Sequence, residues 1–169
     1  MKKEIELKLV EKYPILYKDY GGDPRKTCMT WGFACGNGWH KIIEDLSFEI
    51  TKIAKKHNNI EIVADQIKEK FGELRFYYHI DKKRVSIISY LAWKIKIFFI
   101  KNRLGRLYTF ITNVRKKFYK TPIEKIAELV RNAELLSSQT CENCGNHGTI
   151  HNIDGWLKTL CDKCRENRK

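Results

Sequence analysis

The chain has 169 residues, of which 43% are hydrophobic and 12% aromatic, with only three prolines and ten glycines. This composition argues against a long disordered tract, and the length suffices for one domain with a hydrophobic core and a small appendage. The net charge is +13, and residues 82–122 carry twelve Lys and Arg with no Asp or Glu, which leaves 21 of the 33 basic residues against all 20 acidic ones. Any anionic partner of the protein would therefore be expected to bind this one segment.

The first residues do not resemble a secretion signal. Residues 1–8 combine charged and apolar side chains and lack the apolar core of a signal peptide. The six cysteines are clustered rather than distributed as a disulfide framework. We therefore expect a reducing, cytoplasmic setting, in which clustered cysteines usually bind metal.

Two helices are predicted before the first strand. The first covers residues 3–13 and ends before Pro14. The second starts at Trp39 and ends near Asn58, and it is expected to be the main core helix. The apolar face of this second helix comprises Trp39, Ile42, Ile43, Leu46, Ile50, Ile53 and Ala54.

A loop rich in glycine and tryptophan, from Thr27 to His40, separates these helices. Its glycines indicate a tight, partly buried loop whose backbone adopts unusual dihedral angles. Cys28, Cys35 and His40 are candidates for a second metal site, and a Cys35 nucleophile with His40 as its base is a further alternative. The sequence favours a core loop packed against the second helix.

A β-hairpin is predicted next, with strands at Ile60–Ile67 and Leu74–Ile80 and a turn around Lys70–Glu73. In the second strand apolar residues alternate with the outward-facing Arg75, Tyr77 and His79. Tyr77 has two alternative roles: it stacks on nucleic-acid bases, or it packs under the helices.

Acidic residues cluster around the first strand and the hairpin turn. A nuclease-like metal site uses carboxylates of this kind, although interspersed charges are also typical of a solvated strand face. The residues are Glu61, Asp65, Glu69 and Glu73.

The basic segment divides into two halves. Val85–Ile100 is mostly apolar, and at sixteen residues it is shorter than the roughly twenty needed to span a bilayer; its period fits either a strand or a buried helix. Residues 103–120 are predicted to form an amphipathic helix with a cationic face opposite an apolar stripe. The cations of that face are Arg103, Arg106, Lys116, Lys117 and Lys120.

The cationic face has three alternative roles. It binds nucleic acid through phosphate contacts, it associates with an anionic membrane together with the apolar first half, or it is only a solvated helix surface. Twelve cations without one acid give residues 82–122 a larger excess of positive charge than solubility requires. This excess favours an anionic partner. The sequence leaves nucleic acid and membrane both open.

A further helix is predicted to start after Thr121. Thr121 is a suitable cap, Pro122 suits the first turn, and Glu124 completes a capping box. The buried face of this helix is expected to comprise Ile123, Ile126, Ala127, Val130 and Ala133.

The strongest chemical signal is a pair of Cys-x-x-Cys motifs near the C-terminal end. Sixteen residues rich in turn formers separate the two motifs, which is the spacing of a structural zinc site. The predicted ligands are Cys141, Cys144, Cys161 and Cys164, which complete a tetrahedral shell and leave no open position for catalysis. Replacement of one cysteine by His147 or His151 is the alternative.

Three stretches of the sequence together resemble motifs of a known group of proteins. They are Trp31-Gly32-Phe33-x-Cys35-Gly36-x-Gly38-Trp39, Lys68-Glu69-Lys70-Phe71-Gly72-x-Leu74-Arg75-Phe76-Tyr77-Tyr78, and the Cys-x-x-Cys-Gly run with Gly155-Trp156-Leu157-x-Thr159-Leu160-Cys161. With these three stretches in this order, the chain resembles a group of small zinc-ribbon proteins of tailed phages and prophages. The resemblance covers most of the chain except residues 82–122. The resemblance implies a phage-derived protein acting in a bacterial cytoplasm, and it implies no mechanism.

These patterns predict an α+β fold in which a β-hairpin packs against helices. The expected units are a core of residues 1–81 with 121–138, a basic helical insertion at residues 82–120, and a C-terminal zinc ribbon at residues 139–169.

The expected function is non-enzymatic nucleic-acid binding through the cationic face, with one structural Zn²⁺. One alternative is an inhibitor or modulator of a bacterial host factor, as in host defence, which would bind that protein through Trp31, Phe33, Trp39 and Tyr77. A second alternative is peripheral membrane association through residues 85–120.

Overall fold

The computed structural model describes residues 1–57, 60–82, 94 and 121–167, and these form a mixed α+β fold, as the sequence predicted. The predicted basic insertion lies almost entirely outside the described residues. The elements are α1 (Lys3–Lys12), β1 (Phe33–Ala34), α2 (His40–Lys56), β2 (Ile60–Lys70), β3 (Glu73–Lys82), α3 (Pro122–Ser137), β4 (Thr149–Ile153), β5 (Trp156–Leu160) and α4 (Asp162–Glu166).

The β2–β3 hairpin forms most of the larger sheet, and β1 pairs in parallel with β2. Ile67, Leu74 and Phe76 are buried on one face because apolar side chains alternate along both strands. The strands are longer than predicted because backbone pairing continues as far as Lys70 and Glu73, after the apolar alternation has ended.

A β-bulge interrupts this hairpin. Ala64 pairs with Tyr78 and Gln66 pairs with Tyr77, so Asp65 is the extra residue. Between the bulge and the turn the register is regular, and directly opposed residues lie side by side on the same face of the sheet.

The inner face of the sheet is covered by α2 and α3. Trp39, immediately before α2, is fully buried, and Ile43 and Ile50 of α2 are buried with it, as predicted. Ile126 and Ala133 of α3 belong to the same core cluster. The apolar periodicity of both helices therefore determines how they pack on the sheet.

Helix α3 starts as the sequence predicted. The Glu124 N–H donates to Thr121 Oγ1 (3.2 Å), and the Thr121 N–H donates to Glu124 Oε2 (2.7 Å), which completes the capping box. The predicted burial of Ile123 is wrong. Ile123 is exposed because it lies in the first turn of the helix, ahead of Ile126, where contact with the core begins.

A buried carboxylate fixes the loop that precedes β1. Glu6 of α1 accepts hydrogen bonds from the Phe33 N–H (3.1 Å) and from the Tyr20 hydroxyl (2.6 Å). Gly32 has a φ of +73°, and a side chain at that position would meet the Glu6 carboxylate. This turn leaves Trp31 on the surface and directs Phe33 into the core.

Candidate metal centre

The two Cys-x-x-Cys pairs meet at one end of the β4–β5 hairpin. The sulfur atoms of Cys141, Cys144, Cys161 and Cys164 all lie within 4.8 Å of one another, and the Cys144 and Cys161 sulfurs are 3.6 Å apart. A tetrahedron with Zn–S bonds of about 2.3 Å has sulfur–sulfur edges of about 3.8 Å. The four cysteines are therefore placed to bind a metal ion.

Backbone hydrogen bonds form the turn of the first pair. The Cys141 N–H donates to the Asn146 carbonyl oxygen (2.7 Å), and the Gly145 N–H donates to the Cys141 carbonyl oxygen (2.9 Å). Gly145 has a φ of +82°, a conformation that favours glycine. This tight turn brings the Cys144 sulfur back toward that of Cys141.

The second pair is positioned by the end of β5 and the start of α4. Cys161 directly follows β5, and the Arg165 N–H donates to its carbonyl oxygen (3.0 Å), so Cys164 lies in the first helical turn. The two strands are joined by the turn Asp154–Gly155, with φ values of 49° and 86°. This two-residue turn returns the chain so that the two pairs meet.

The thiols influence one another electrostatically. Burial opposes ionisation of Cys141, but the N–H groups of Cys161, Cys144 and Asn143 outweigh it and lower the pKa of this thiol to about 7. The neighbouring thiols, Cys161 first, raise the pKa of Cys164 to about 12. A bound divalent cation would favour the thiolate form of all four cysteines.

Within the described residues, the four cysteines are the only group of His, Cys, Asp and Glu side chains close enough to hold a metal. Neither His147 nor His151 belongs to this group, so neither replaces a cysteine. Cys28, Cys35 and His40 form no such group, so the alternative second metal site is not found among the described residues. Burial raises the pKa of Cys35 to about 12, which also opposes a nucleophilic thiolate.

The first Cys-x-x-Cys turn is in direct contact with the glycine-rich loop. The Gly38 N–H donates to the Glu142 carbonyl oxygen (2.7 Å), and the Gly36 N–H donates to Glu142 Oε1 (2.9 Å). A side chain on Gly36 would meet the Glu142 carbonyl, and one on Gly38 would meet the Cys141 carbonyl. Both glycines therefore permit a close approach of two backbones.

We call the contact between the core and residues 140–160 the seam, and further hydrogen bonds extend it. The indole N–H of Trp39 donates to the Thr140 carbonyl oxygen (2.7 Å). The Thr159 hydroxyl donates to the carbonyl oxygen of Gly72 in the β2–β3 turn, and the Glu142 N–H donates to the Thr159 carbonyl oxygen (2.9 Å). The four-cysteine hairpin is thus attached to the core at both the loop and the sheet.

Lys158 forms ion pairs that join the larger sheet to the Cys141 turn. Its ammonium group contacts Glu69 Oε2 (2.6 Å) on β2 and Glu142 Oε2 (3.1 Å) beside the cysteines. Burial lowers the pKa of Lys158, but the hydrogen bond to Glu69 and the charge of Glu142 outweigh it and raise the pKa overall. The two carboxylates share one partly buried cation.

The aromatic residues proposed as a protein-binding surface separate into two groups. Trp31 is 77% exposed and Tyr77 is 44% exposed. Phe33 and Trp39 are buried in the core, so neither can touch a partner while the domain is folded. Their burial follows from the turn at Gly32 and from the apolar start of α2.

The acids of the hairpin pair with bases instead of gathering around a metal. Glu69 contacts Lys158, Glu73 contacts Arg75 (2.8 Å), and the Asp65 carboxylate accepts a hydrogen bond from His79 Nδ1 (2.6 Å). The alternative nuclease-like site therefore has no support among the described residues.

The predicted nucleic-acid-binding cations lie outside the residues that the structure describes. They are Arg103, Arg106, Lys116, Lys117 and Lys120.

Glu142, Lys158 and Thr159 are the seam residues that sequence analysis missed. Their roles depend on partners far away in the chain, so no local pattern shows these roles, although Thr159 lies within one of the three quoted motifs. The signal that did exist was the Gly36-x-Gly38 spacing, since paired glycines indicate close backbone approach.

None of the described helices is both long enough and apolar enough to cross a lipid bilayer. Compared with protein-family models, curated proteins and solved structures, the chain has no match.

Proposed function

We propose that this protein is a zinc-stabilised, non-enzymatic accessory protein that binds nucleic acid. The observation that carries the proposal is the segregation of charge, since residues 82–122 hold twelve cations and no acid in a chain of net charge +13. Phosphate contacts from Lys and Arg supply most of the affinity of sequence-independent nucleic-acid binding. The ligands proposed from the sequence are Arg103, Arg106, Lys116, Lys117 and Lys120.

Zinc is the metal that best suits the four-cysteine site. Four thiolates in a closed tetrahedral arrangement are typical of structural zinc and leave no position for a substrate or a reactive water. The seam supports a structural role, because the Cys141 turn lies between the Gly36–Trp39 loop and the rest of the ribbon. Zinc would fold the β4–β5 hairpin and hold it against the core.

The setting we propose follows from the motif resemblance alone. A phage- or prophage-encoded protein of this kind would act in the cytoplasm of a bacterial host. Its basic charge and its proposed structural metal centre suit an accessory role in nucleic-acid transactions.

The test is binding of a fluorescent duplex and a fluorescent single strand, measured by anisotropy over a series of salt concentrations. Five phosphate contacts predict a slope of the logarithm of affinity against the logarithm of salt concentration of about −4 to −5 for the duplex and about −3.5 for the single strand. The variant R103Q/R106Q/K116Q/K117Q/K120Q should lose most of this slope. A matched control, K41Q/K52Q/K55Q/K56Q/K125Q, removes five lysines from α2 and α3. This control should show the same dependence of affinity on salt concentration as the wild type.

Absence of binding to duplex and single strand at low salt would overturn the proposal. Sedimentation with anionic but not neutral vesicles, lost when residues 85–120 are deleted, would support the membrane alternative instead.

A second candidate function, binding to a bacterial host protein, is favoured by one observation. Trp31 is 77% exposed next to a turn that Gly32 and Glu6 hold in place. Large aromatic side chains on a rigid surface are common anchors of protein interfaces. Capture of a partner from a host lysate treated with nuclease, lost on Trp31→Ala, would support it over nucleic-acid binding.

A further inference from the structure

The turn of the β2–β3 hairpin contains a residue that its geometry disfavours. Phe71 and Gly72 are its two central residues, with φ values of 58° and 80°. A two-residue turn with both φ values positive favours Asn, Asp or Gly at the first position. A bulky aromatic residue there is an outlier, and such outliers are concentrated at functional sites.

Burial of the Phe71 ring does not compensate for its unfavourable backbone conformation. Phe71 is 63% exposed and does not belong to the core cluster, whereas Gly72 beside it is buried against the ribbon. The Lys70 ammonium lies 5.2 Å from the centre of the Phe71 ring. The turn therefore presents an aromatic ring and a cation together at the surface.

The same combination recurs on the outer face of the hairpin. Tyr77 is 44% exposed, and the Lys68 ammonium lies 5.4 Å from the centre of its ring. Lys68 lies opposite Arg75, and Tyr77 lies opposite Gln66, two pairs further from the turn and on the same face. Alternate residues of a strand are about 7 Å apart on one face, so Lys70 and Lys68 lie between the Phe71 and Tyr77 rings along the hairpin.

The acids that could neutralise these lysines have other partners. Glu69 contacts Lys158 across the seam, and Glu73 contacts Arg75 (2.8 Å). Neither Lys68 nor Lys70 forms an ion pair with a carboxylate of the described residues. The half of the face nearest the turn is therefore positively charged as well as aromatic.

We propose that a single-stranded nucleic acid binds along this face, with bases stacked on Phe71 and Tyr77 and phosphates near Lys68 and Lys70. The inference rests on the proposed nucleic-acid binding and assigns it a second contact surface and a strand preference. Exposed rings with adjacent cations match the alternating bases and phosphates of an unpaired strand. A protein partner fits less well, because lysine is depleted in the centres of protein interfaces.

The variant Phe71→Asn separates binding from folding. Asn adopts positive φ readily, so thermal unfolding of this variant should occur at or above the wild-type temperature. Loss of one stacked base should weaken binding of a fluorescent 20-nucleotide oligothymidine by about 5- to 150-fold. Affinity for a duplex of the same length should change less than about twofold, because its bases are already stacked and paired.

Two further variants complete the experiment. Tyr77→Thr keeps a strand-forming residue and should also weaken single-strand binding. Phe48→Ala is the matched control, since Phe48 of α2 is 53% exposed and has the Lys52 ammonium 5.7 Å from its ring centre. This control should leave both affinities unchanged.

The inference is overturned if folded Phe71→Asn and Tyr77→Thr bind the single strand as tightly as wild type. It is also overturned if they weaken duplex binding equally, or if Phe48→Ala weakens single-strand binding as much. In each of these results the wild-type protein still binds nucleic acid, so the proposed function stands. A wild-type protein that binds neither strand nor duplex instead removes the proposed function itself.

Discussion

The β2–β3 hairpin rests on a hydrophobic core, whereas the β4–β5 hairpin has little core of its own. Ile67, Leu74 and Phe76 of the first hairpin are buried under α2 and α3. In the second hairpin Leu160 is buried, but Trp156 and Leu157 are exposed. Both hairpins have a two-residue turn with positive φ values, so their local geometry is alike.

The difference shows that similar strand pairs depend on different forces. Burial of apolar side chains stabilises β2–β3 directly. The second hairpin is too small to bury a comparable area, so we expect metal coordination by its four cysteines, together with the seam, to replace apolar burial. Perturbations of apolar burial, of metal binding and of the turns should therefore act differently on the two hairpins.

Metal removal should have the largest effect, and it should be confined to the ribbon. Structural zinc contributes roughly 10–16 kcal/mol in small zinc fingers at neutral pH. Chelation, or Cys161→Ser, should abolish hydrogen-exchange protection of the β4–β5 amides while those of β2–β3 remain protected. Cys28→Ser is the control, because this exposed cysteine lies outside the cluster. Protected β4–β5 amides in metal-free protein would contradict the structural role.

Truncation in the core should have the next largest effect. Ile67→Ala removes a fully buried side chain and should lower the free energy of unfolding by about 2–5 kcal/mol. Ile150→Ala changes an exposed residue of the ribbon, and its effect should stay within about 0.5 kcal/mol. Urea denaturation measures both. Equal losses would mean that the ribbon has an apolar core comparable to that of the sheet.

Gly38→Ala should act on both regions through the seam. The added methyl group would meet the Cys141 carbonyl oxygen and the Gly145 N–H, and overpacking of this kind costs about 1–3 kcal/mol. Because the seam orders the Cys141 turn, the variant should also bind zinc more weakly in a competition with a chromogenic chelator. Asn143→Ala, at an exposed position of the same turn, should change neither quantity. Unchanged zinc affinity in Gly38→Ala would disconnect the seam from the metal centre.

Exchanges in the two turns should have the smallest effects, with opposite signs. Asp154→Ala places a less suitable residue at a φ of 49° and should lower the free energy of unfolding of the metal-bound protein by up to about 1 kcal/mol. Phe71→Asn places a more suitable residue at a φ of 58° and should raise it by a similar amount. Urea denaturation at saturating zinc would show this. A loss of stability in Phe71→Asn would mean that the ring stabilises the fold.

Local patterns predicted most of the elements. The capping box at Thr121 and the apolar face of α2 depend on residues within a few positions of one another, so both were visible in the sequence. The four cysteines were predictable because their ligand chemistry and spacing leave few alternatives. Ile123 fits the helical period and is nevertheless exposed, because periodicity does not show where a helix leaves the core.

The sequence by itself determined the α+β class, the hairpin with its turn at Phe71 and Gly72, the four-cysteine cluster and the segregation of basic charge. Only the tertiary structure decided that Trp31 is exposed while Trp39 is buried, and that Gly36 contacts Glu142, 106 residues further along the chain. The physical reason is range. Propensity, capping and ligand spacing act over a few neighbouring residues, whereas burial and the close approach of two backbones depend on how distant segments pack.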